Sequence, residues 1–210
     1  MASKPESVLS VPRTREIATV GLFGALSIML TIVSNRVLII QFIPPVNYLM
    51  FDLGEIPVMV CFLMMGPRAG VTAGVVEWLA LNLQPTSVPL IGPLFKLLSV
   101  LSTLVGVWIG WRLLRSRKMK PKFAGSSVIS AVTRSVLMTG PNALFLIIYF
   151  HISPTSGLYF FLELTALFNV LQIPFDLIPT FIIISLTQVK HTFRSNGMTW
   201  FESRVESRAK

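Results

Sequence analysis

Five long apolar segments, separated by short polar stretches, dominate the chain. The first extends from Ile17 to Ile40 and is interrupted only by Asn35 and Arg36. A membrane-spanning helix needs about 20 apolar residues, so this length fits one retained span better than a cleaved signal peptide. The other four segments cover 54–83, 91–112, 126–150 and 158–189. The pattern predicts an all-α membrane protein.

The second segment is too long for one ordinary span and contains Gly66-Pro67-Arg68 near its middle. Proline removes a backbone donor, and arginine is costly inside the bilayer. We therefore expect two short helices, at about 54–66 and 69–83. The last segment exceeds the bilayer thickness, so it is expected to tilt, to kink at Pro174 and Pro179, or to begin above the membrane.

The positions of the basic residues support this division. Lys and Arg are retained on the cytoplasmic side of membrane proteins, and here they are concentrated in a leader, at Arg68, in the segment 112–122 and in a tail. Six spans put all four groups on one side, whereas five would put 112–122 and the tail outside. Both termini are therefore predicted to be cytoplasmic. The predicted divisions are a leader at 1–16, a six-transmembrane-helix bundle at 17–190 and a basic tail at 191–210, with outer loops at about 41–53, 84–90 and 151–157.

The composition agrees with a membrane protein. Hydrophobic residues make up 53% of the 210 positions and charged residues only 13%, with a mean hydropathy of +0.72, whereas soluble domains have roughly a quarter of charged residues. The net charge of +9 does not indicate nucleic acid binding, because the basic residues lie at the ends of apolar segments rather than over a polar face. A large soluble catalytic domain is excluded.

Residues for enzymatic chemistry are sparse. The two histidines, His151 and His191, have no acidic residue at ligand spacing, and a single cysteine, Cys61, cannot form an intrachain disulfide or a metal cluster. The chain contains no G-x-x-x-x-G-K-[ST] phosphate loop and no G-x-S-x-G motif. We expect neither an enzyme nor a metal site.

Polar residues inside or next to the spans are the main functional candidates, because an ionisable group in hydrocarbon is costly unless it is paired or faces water. The set is Asp52, Glu55, Glu77, Asn82, Lys96, Arg134, Asn142, Glu163, Asn169 and Asp176. Many of them are expected to line one pocket that opens to the outside. We select Asp52, Lys96, Asn142 and Asp176 as ligand contacts. Alternatives remain: Glu55 caps a helix, Lys96 snorkels to the surface, and Glu77 and Arg134 form a structural pair.

Two further features of the pattern carry predictions. The segment 41–51 combines two prolines with aromatic residues, and it can cover a planar ring through Phe51 while Asn47 and Tyr48 offer hydrogen bonds. The alternative is a loop that is buried against its own helices. In the first helix, Gly21 and Ala25 form a small-xxx-small pair with Ala18 nearby, and such a groove allows close approach of a neighbouring helix or of a partner subunit.

Five motifs together resemble the substrate-binding S-components of energy-coupling factor (ECF) vitamin transporters, especially the riboflavin-binding branch. In order along the chain they are Phe51-Asp-Leu-Gly-Glu-Ile-Pro57, Met65-Gly-Pro-Arg-Ala-Gly70, Val88-Pro-Leu-Ile-Gly-Pro93, Met138-Thr-Gly-Pro-Asn142 and Ile173-Pro-Phe-Asp-Leu-Ile178. The resemblance implies a prokaryotic cell-membrane protein that binds a vitamin from outside. It also implies association with a membrane-embedded coupling subunit and two ATPase subunits, with Ala18, Gly21 and Ala25 facing the coupling subunit.

The last helix departs from the riboflavin pattern. Riboflavin-binding members carry Pro-Phe-Asn-x-x-Lys where this chain has Pro174-Phe-Asp-Leu-Ile-Pro179. Asp176 can still accept a hydrogen bond from a ribityl hydroxyl, and Lys96 can supply the missing cation from a neighbouring helix. Riboflavin is therefore the favoured ligand. The alternatives are another vitamin, a nucleobase-like solute, or a secondary transporter that acts without partner subunits.

Overall fold

The computed structural model describes residues 13–38, 49–84, 90–115, 119–152 and 156–186. Within these ranges the chain forms six α-helices and one π-helical turn, with no strand. The helices are α1 (Arg13–Val33), followed by the π-helical turn Ser34–Leu38, α2 (Glu55–Met65), α3 (Pro67–Leu81), α4 (Ile91–Leu113), α5 (Met119–Ile148) and α6 (Ser156–Ser185). Four spans are long and apolar enough to cross a membrane, at Thr14–Arg36, Ile91–Leu113, Met119–Ile148 and Gly157–Ser185. The predicted bundle of six helices is thus present, with α2 and α3 as its short members.

The break between α2 and α3 falls at Gly66, as predicted. Gly66 has a φ of 104°, a backbone conformation that residues other than glycine rarely adopt. Its N–H donates to the carbonyl of Phe62 over 2.9 Å, which closes α2. Pro67 then occupies the first turn of α3, where its missing N–H is not needed.

The other prolines interrupt less than expected. Pro141 lies inside α5, and Pro174 and Pro179 lie inside α6, yet both helices extend over 30 residues. None of these prolines therefore ends its helix. In addition, α5 begins at Met119, seven residues before the predicted start at 126.

The core surrounds α2. Every residue of α2 from Glu55 to Met64 is buried, because this short helix contacts α1, α3, α4 and α6. Large apolar side chains are exposed mainly on the outer faces of the long helices, for example Val128, Val132 and Val136 of α5. Buried polar side chains and exposed apolar ones are the arrangement that a bilayer favours.

Small residues bring α4 and α5 into close contact. A Cβ atom added to Gly106 would lie 2.4 Å from Cα of Ser130, and one added to Gly110 would lie 2.6 Å from Cα of Ser126. Helices in membranes associate through such small residues, because lipid provides little hydrophobic driving force between helices.

Candidate functional site

A cavity of about 230 Å³ lies at one end of the bundle. It is bounded by the π-helical turn after α1, the segment before α2 and its first residue, the first turns of α4, and the middle parts of α5 and α6. The basic residues that close α4 lie at the opposite end, because the 14 residues from Ser99 to Leu113 span roughly 21 Å of helix. The lining residues are Asn35, Leu49, Met50, Asp52, Glu55, Phe95, Lys96, Ser99, Arg134, Met138, Asn142, Thr165, Phe168, Asn169 and Gln172.

The segment from Asp52 to Glu55, just before and at the start of α2, is joined to the surrounding helices by hydrogen bonds. Ser27 of α1 donates to the carbonyl of Gly54 over 2.5 Å, and the N–H of Leu53 donates to Ser34 Oγ over 3.1 Å. From α6, Gln172 Nε2 donates to the carbonyl of Asp52 over 2.8 Å. This segment forms the floor of the cavity, and it is therefore positioned by α1 and α6 together.

Lys96 of α4 faces three carboxylates. Its ammonium group forms an ion pair with Asp52, and it lies 3.7 Å from Glu55 Oε1 and 3.8 Å from Glu77 Oε1. Thr31 Oγ1 lies 2.8 Å from Glu77 Oε1 and 3.2 Å from the Asp52 carboxylate. Lys96 is thus surrounded by negative charge from α2, α3 and the segment before α2.

Arg134 of α5 forms the second ion pair of the site. Its guanidinium donates to both oxygens of Glu55, over 2.7 Å and 3.1 Å, and such bidentate pairs are the strongest type of charge-assisted hydrogen bond. Arg134 also donates to Thr103 over 3.0 Å and to Asn169 over 3.1 Å. Asp176 of α6 lies 3.5 Å from the same guanidinium. The arginine therefore links α2, α4, α5 and α6 at the wall of the cavity.

Helical periodicity explains why so many polar groups meet here. Buried residues of α5 recur at every fourth position: Ser126, Ser130, Arg134, Met138 and Asn142. Buried polar residues of α6 recur at intervals of three or four: Thr165, Asn169, Gln172, Asp176 and Thr180. Residues at such intervals lie on one face of a helix, so each helix presents one polar stripe to the bundle interior.

Apolar groups complete the wall of the cavity. Phe95, Met138 and Phe168 line it together with Leu49 and Met50. Phe168 is supported from behind by Phe51, whose ring centroid is 5.1 Å away. Aromatic and apolar walls with a few placed polar groups are typical of small-molecule sites. Among the described residues, no group of three or more His, Cys, Asp or Glu side chains is arranged to hold a metal ion.

The predicted contact residues occupy different positions in this site. Asp52, Lys96 and Asn142 line the cavity. Phe51 packs behind its wall, stacked on Phe175 with a centroid distance of 4.5 Å, and Asp176 is completely buried behind Gln172, which donates to it over 2.8 Å. Their direct contact with a ligand stays a prediction. Asn47 and Tyr48 lie outside the described residues.

The wider set of intramembrane polar residues divides in a similar way. Six of the ten line the cavity, and Glu77 and Asp176 belong to the charge network next to it. Glu163 is exposed on α6, and Asn82, directly after α3, donates to the carbonyl of Trp78 in that helix. The suggested pairing of Glu77 with Arg134 was wrong, since Arg134 binds Glu55.

Sequence reasoning missed several uncharged members of the site. Ser99, Thr165 and Gln172 line the cavity, and Ser27 and Thr31 of α1 hold its floor. The signal for Thr165 and Gln172 was present in the spacing of polar residues along α6. Ser27, Thr31 and Ser99 gave no such signal, because serine and threonine are common in helices of every environment.

One face of α1 presents the small residues. Ala18, Gly21 and Ala25 are exposed, and no atom lies within 4 Å of the position that a Cβ of Gly21 would take. Gly24, on the other side of the helix, is buried, and a Cβ added there would lie 2.7 Å from a methyl group of Val76. The small-residue face is therefore exposed within the described part of the chain, and its predicted contact with a partner subunit stays a prediction.

The bundle of six helices with a polar cavity at one end is similar to the fold of a known transport subunit. A structure of the S component of a bacterial ECF transporter matches it with a TM-score of 0.67 at 17% identity, covering 87% of this chain and 99% of that one. No curated protein matches the chain. Residues 15–189 match the family model of the ECF transporter, substrate-specific component.

The chain therefore belongs to the family of ECF transporter substrate-specific components. Members of this family are substrate-binding subunits of transporters and not enzymes. They bind a small-molecule substrate and associate with a membrane coupling subunit and ATPases. The sequence-based assignment to this family is confirmed at that level.

Proposed function

We propose that this chain captures riboflavin from the outside of a prokaryotic cell membrane, for import driven by ATP hydrolysis in partner subunits. The observation that carries the proposal is the cavity itself, in which amide side chains and aromatic rings meet at one end of a bundle of this family. The other end carries the basic segment at 112–122. Because basic residues are retained in the cytoplasm, this polarity supports a cavity that opens outward and cytoplasmic termini.

The lining offers complementary contacts for a flavin. Phe95, Met138 and Phe168 provide an apolar surface for a planar ring. Asn142 and Asn169 provide amide groups for ring and ribityl polar atoms. Asp176 acts in this proposal through Gln172, whose amide it orients.

The size of the cavity adds a requirement. Its volume of about 230 Å³ is below the range of roughly 300–1,000 Å³ that is typical of pockets for drug-sized ligands. Binding of a ligand with the dimensions of riboflavin therefore requires a cavity wider than the one in this structure. This volume favours, as a second candidate, a smaller vitamin or a nucleobase-like solute.

Titration of purified protein with riboflavin, followed by quenching of flavin fluorescence, tests the ligand. We expect saturable quenching at micromolar or lower concentrations for the wild type and weaker binding by Asn142→Ala, which removes a lining amide. Thr139→Ala is the matched control, since Thr139 lies one turn earlier on the same helix and is exposed. Absence of quenching refutes riboflavin, and mass spectrometry of small molecules released from the protein then identifies the ligand.

Transport in vesicles tests the mechanism. We expect uptake only when coupling and ATPase subunits are present together with ATP. Uptake by this chain alone under an ion gradient would instead identify a secondary transporter.

A further inference from the structure

The cavity and the network next to it contain more negative than positive groups. Asp52, Glu55, Glu77 and Asp176 contribute four carboxyl groups, whereas Lys96 and Arg134 contribute two cations. None of these six side chains is more than 15% exposed. With all groups ionised, the described network has two negative charges in excess. Such an excess in a low-dielectric environment must be offset by protons or by a cation.

Hydrogen bonding shows the same imbalance. Gln172 is only 1% exposed and lines the cavity, yet its Oε1 has no hydrogen-bond partner among the described residues. The orientation of this amide is determined, because Nε2 donates both to the carbonyl of Asp52 and to Asp176 Oδ1. Asp176 Oδ2 likewise has no hydrogen bond within the described part of the chain. Gln172 Oε1 is therefore an acceptor without a partner, whereas Asp176 Oδ2 lies 3.5 Å from the Arg134 guanidinium.

We propose that the cavity selects its ligand by charge and by donor groups. It takes a ring compound that donates hydrogen bonds and is neutral or positively charged, and it rejects anionic compounds of similar size. This selectivity rests on the proposed capture of a vitamin, and riboflavin, a neutral compound with hydroxyl and imide donors, meets it.

The expected selectivity follows from the interactions that each kind of ligand can make in the site. A ligand donor that reaches Gln172 Oε1 satisfies an acceptor that is buried and has no partner among the described residues, a situation that costs about 1–3 kcal/mol for such a group. The positive charge of a cationic ligand can be balanced by the excess of carboxylates. An anion needs a free cation, but Lys96 lies within 4 Å of three carboxylates and Arg134 of two. Pairing with an anionic ligand would therefore leave a buried carboxylate unpaired.

Affinity selection from a vitamin mixture tests this selectivity. The full-length protein is equilibrated with an equimolar mixture of cationic thiamine, neutral riboflavin, pyridoxine and nicotinamide, and anionic nicotinate, pantothenate, biotin and folate. The retained compounds are then identified by mass spectrometry. We expect a neutral or cationic compound to be retained. Retention of an anion overturns the charge selectivity and leaves vitamin capture standing, whereas retention of no compound contradicts vitamin capture and the selectivity with it.

A matched ligand pair measures the effect of charge when riboflavin is retained. At about pH 8 the phosphate of riboflavin 5′-phosphate carries close to two negative charges. We expect this ester to bind at least about tenfold more weakly than riboflavin, equivalent to ~1.4 kcal/mol. Equal affinity for the two compounds overturns the selectivity.

Two variants separate charge from shape. Glu77→Gln removes a carboxylate that does not line the cavity, so it changes the charge and leaves the wall intact. We expect it to reduce the discrimination against the phosphate ester. Asp176→Asn is a second variant of the same kind. Glu163→Gln, at an exposed position of α6, is the control and should leave the discrimination unchanged, and an identical ratio in all four proteins contradicts a role for the network.

Discussion

Removal of the Arg134 guanidinium should destabilise the protein more than removal of its carboxylate partner. Arg134→Gln abolishes two charge-assisted hydrogen bonds to Glu55 and leaves this buried carboxylate with Lys96 at 3.7 Å as its only nearby cation among the described residues. Hydrogen bonds to charged groups contribute about 1.5–3 kcal/mol each. Two such bonds give about 3–6 kcal/mol, which agrees with the 3–5 kcal/mol measured when buried ion pairs lose one partner.

Glu55→Gln leaves a different situation. Arg134 keeps its bonds to Asn169 and Thr103 and retains Asp176 as a carboxylate 3.5 Å away. Because the network has an excess of carboxylates, this substitution also reduces the net negative charge. We therefore expect Glu55→Gln to lower the free energy of unfolding by roughly half as much as Arg134→Gln, or less.

Denaturant titration in detergent micelles, followed by tryptophan fluorescence, compares the two variants with the wild type. Arg134→Lys keeps the charge without the fork of donors and provides an intermediate variant if Arg134→Gln does not fold. Arg68→Gln is a matched control, since Arg68 is exposed at the start of α3. A loss for Glu55→Gln that equals or exceeds the loss for Arg134→Gln would refute the described excess of carboxylates.

Three further predictions concern glycines. Gly54→Ala places a Cβ only 1.8 Å from a hydroxyl of the first helix, so we expect a lower thermal midpoint and weaker ligand binding; Gly92→Ala, which meets nothing within 4 Å, should change neither. Gly106→Ala should force α4 and α5 apart and lower the thermal midpoint by several degrees, whereas the unobstructed Gly140→Ala should not, and equal midpoints would contradict the close helix contact. Gly21→Leu on the exposed face of α1 should abolish co-purification with the coupling subunit and leave ligand affinity unchanged, and undiminished co-purification would remove this face from the interface.

The helices themselves could be predicted closely from the sequence. The apolar run at 91–112 became α4 at Ile91–Leu113, and the division at Gly66-Pro67 is present because glycine permits a positive φ and proline begins a helix well. The start of α5 was predicted less well. Its first residues, Met119–Gly125, include two lysines, a proline and a glycine, so hydropathy gave no signal for a helix that extends beyond the apolar run.

The site was predicted in part. Charged and amide residues inside apolar runs identified Asp52, Lys96 and Asn142, because such residues are costly in hydrocarbon and are placed where they are paired or solvated. The partner of each charge could not be identified. Arg134 and Glu55 are 79 positions apart in the chain, and periodicity shows which face of a helix a residue occupies but not which helix that face meets.

The amino-acid sequence alone determined the membrane class, the number of helices and the family, since these depend on the length and order of apolar runs and on local motifs. The tertiary structure alone decided that four carboxyl groups from three helices and a connecting segment surround two cations, and that Gly54 must be a glycine to allow the approach of Thr31. It also decided that Oε1 of Gln172, a residue that lines the cavity, has no hydrogen-bond partner among the described residues. These features depend on the tertiary structure because electrostatic and steric interactions act over a few ångströms between residues that are distant in the chain.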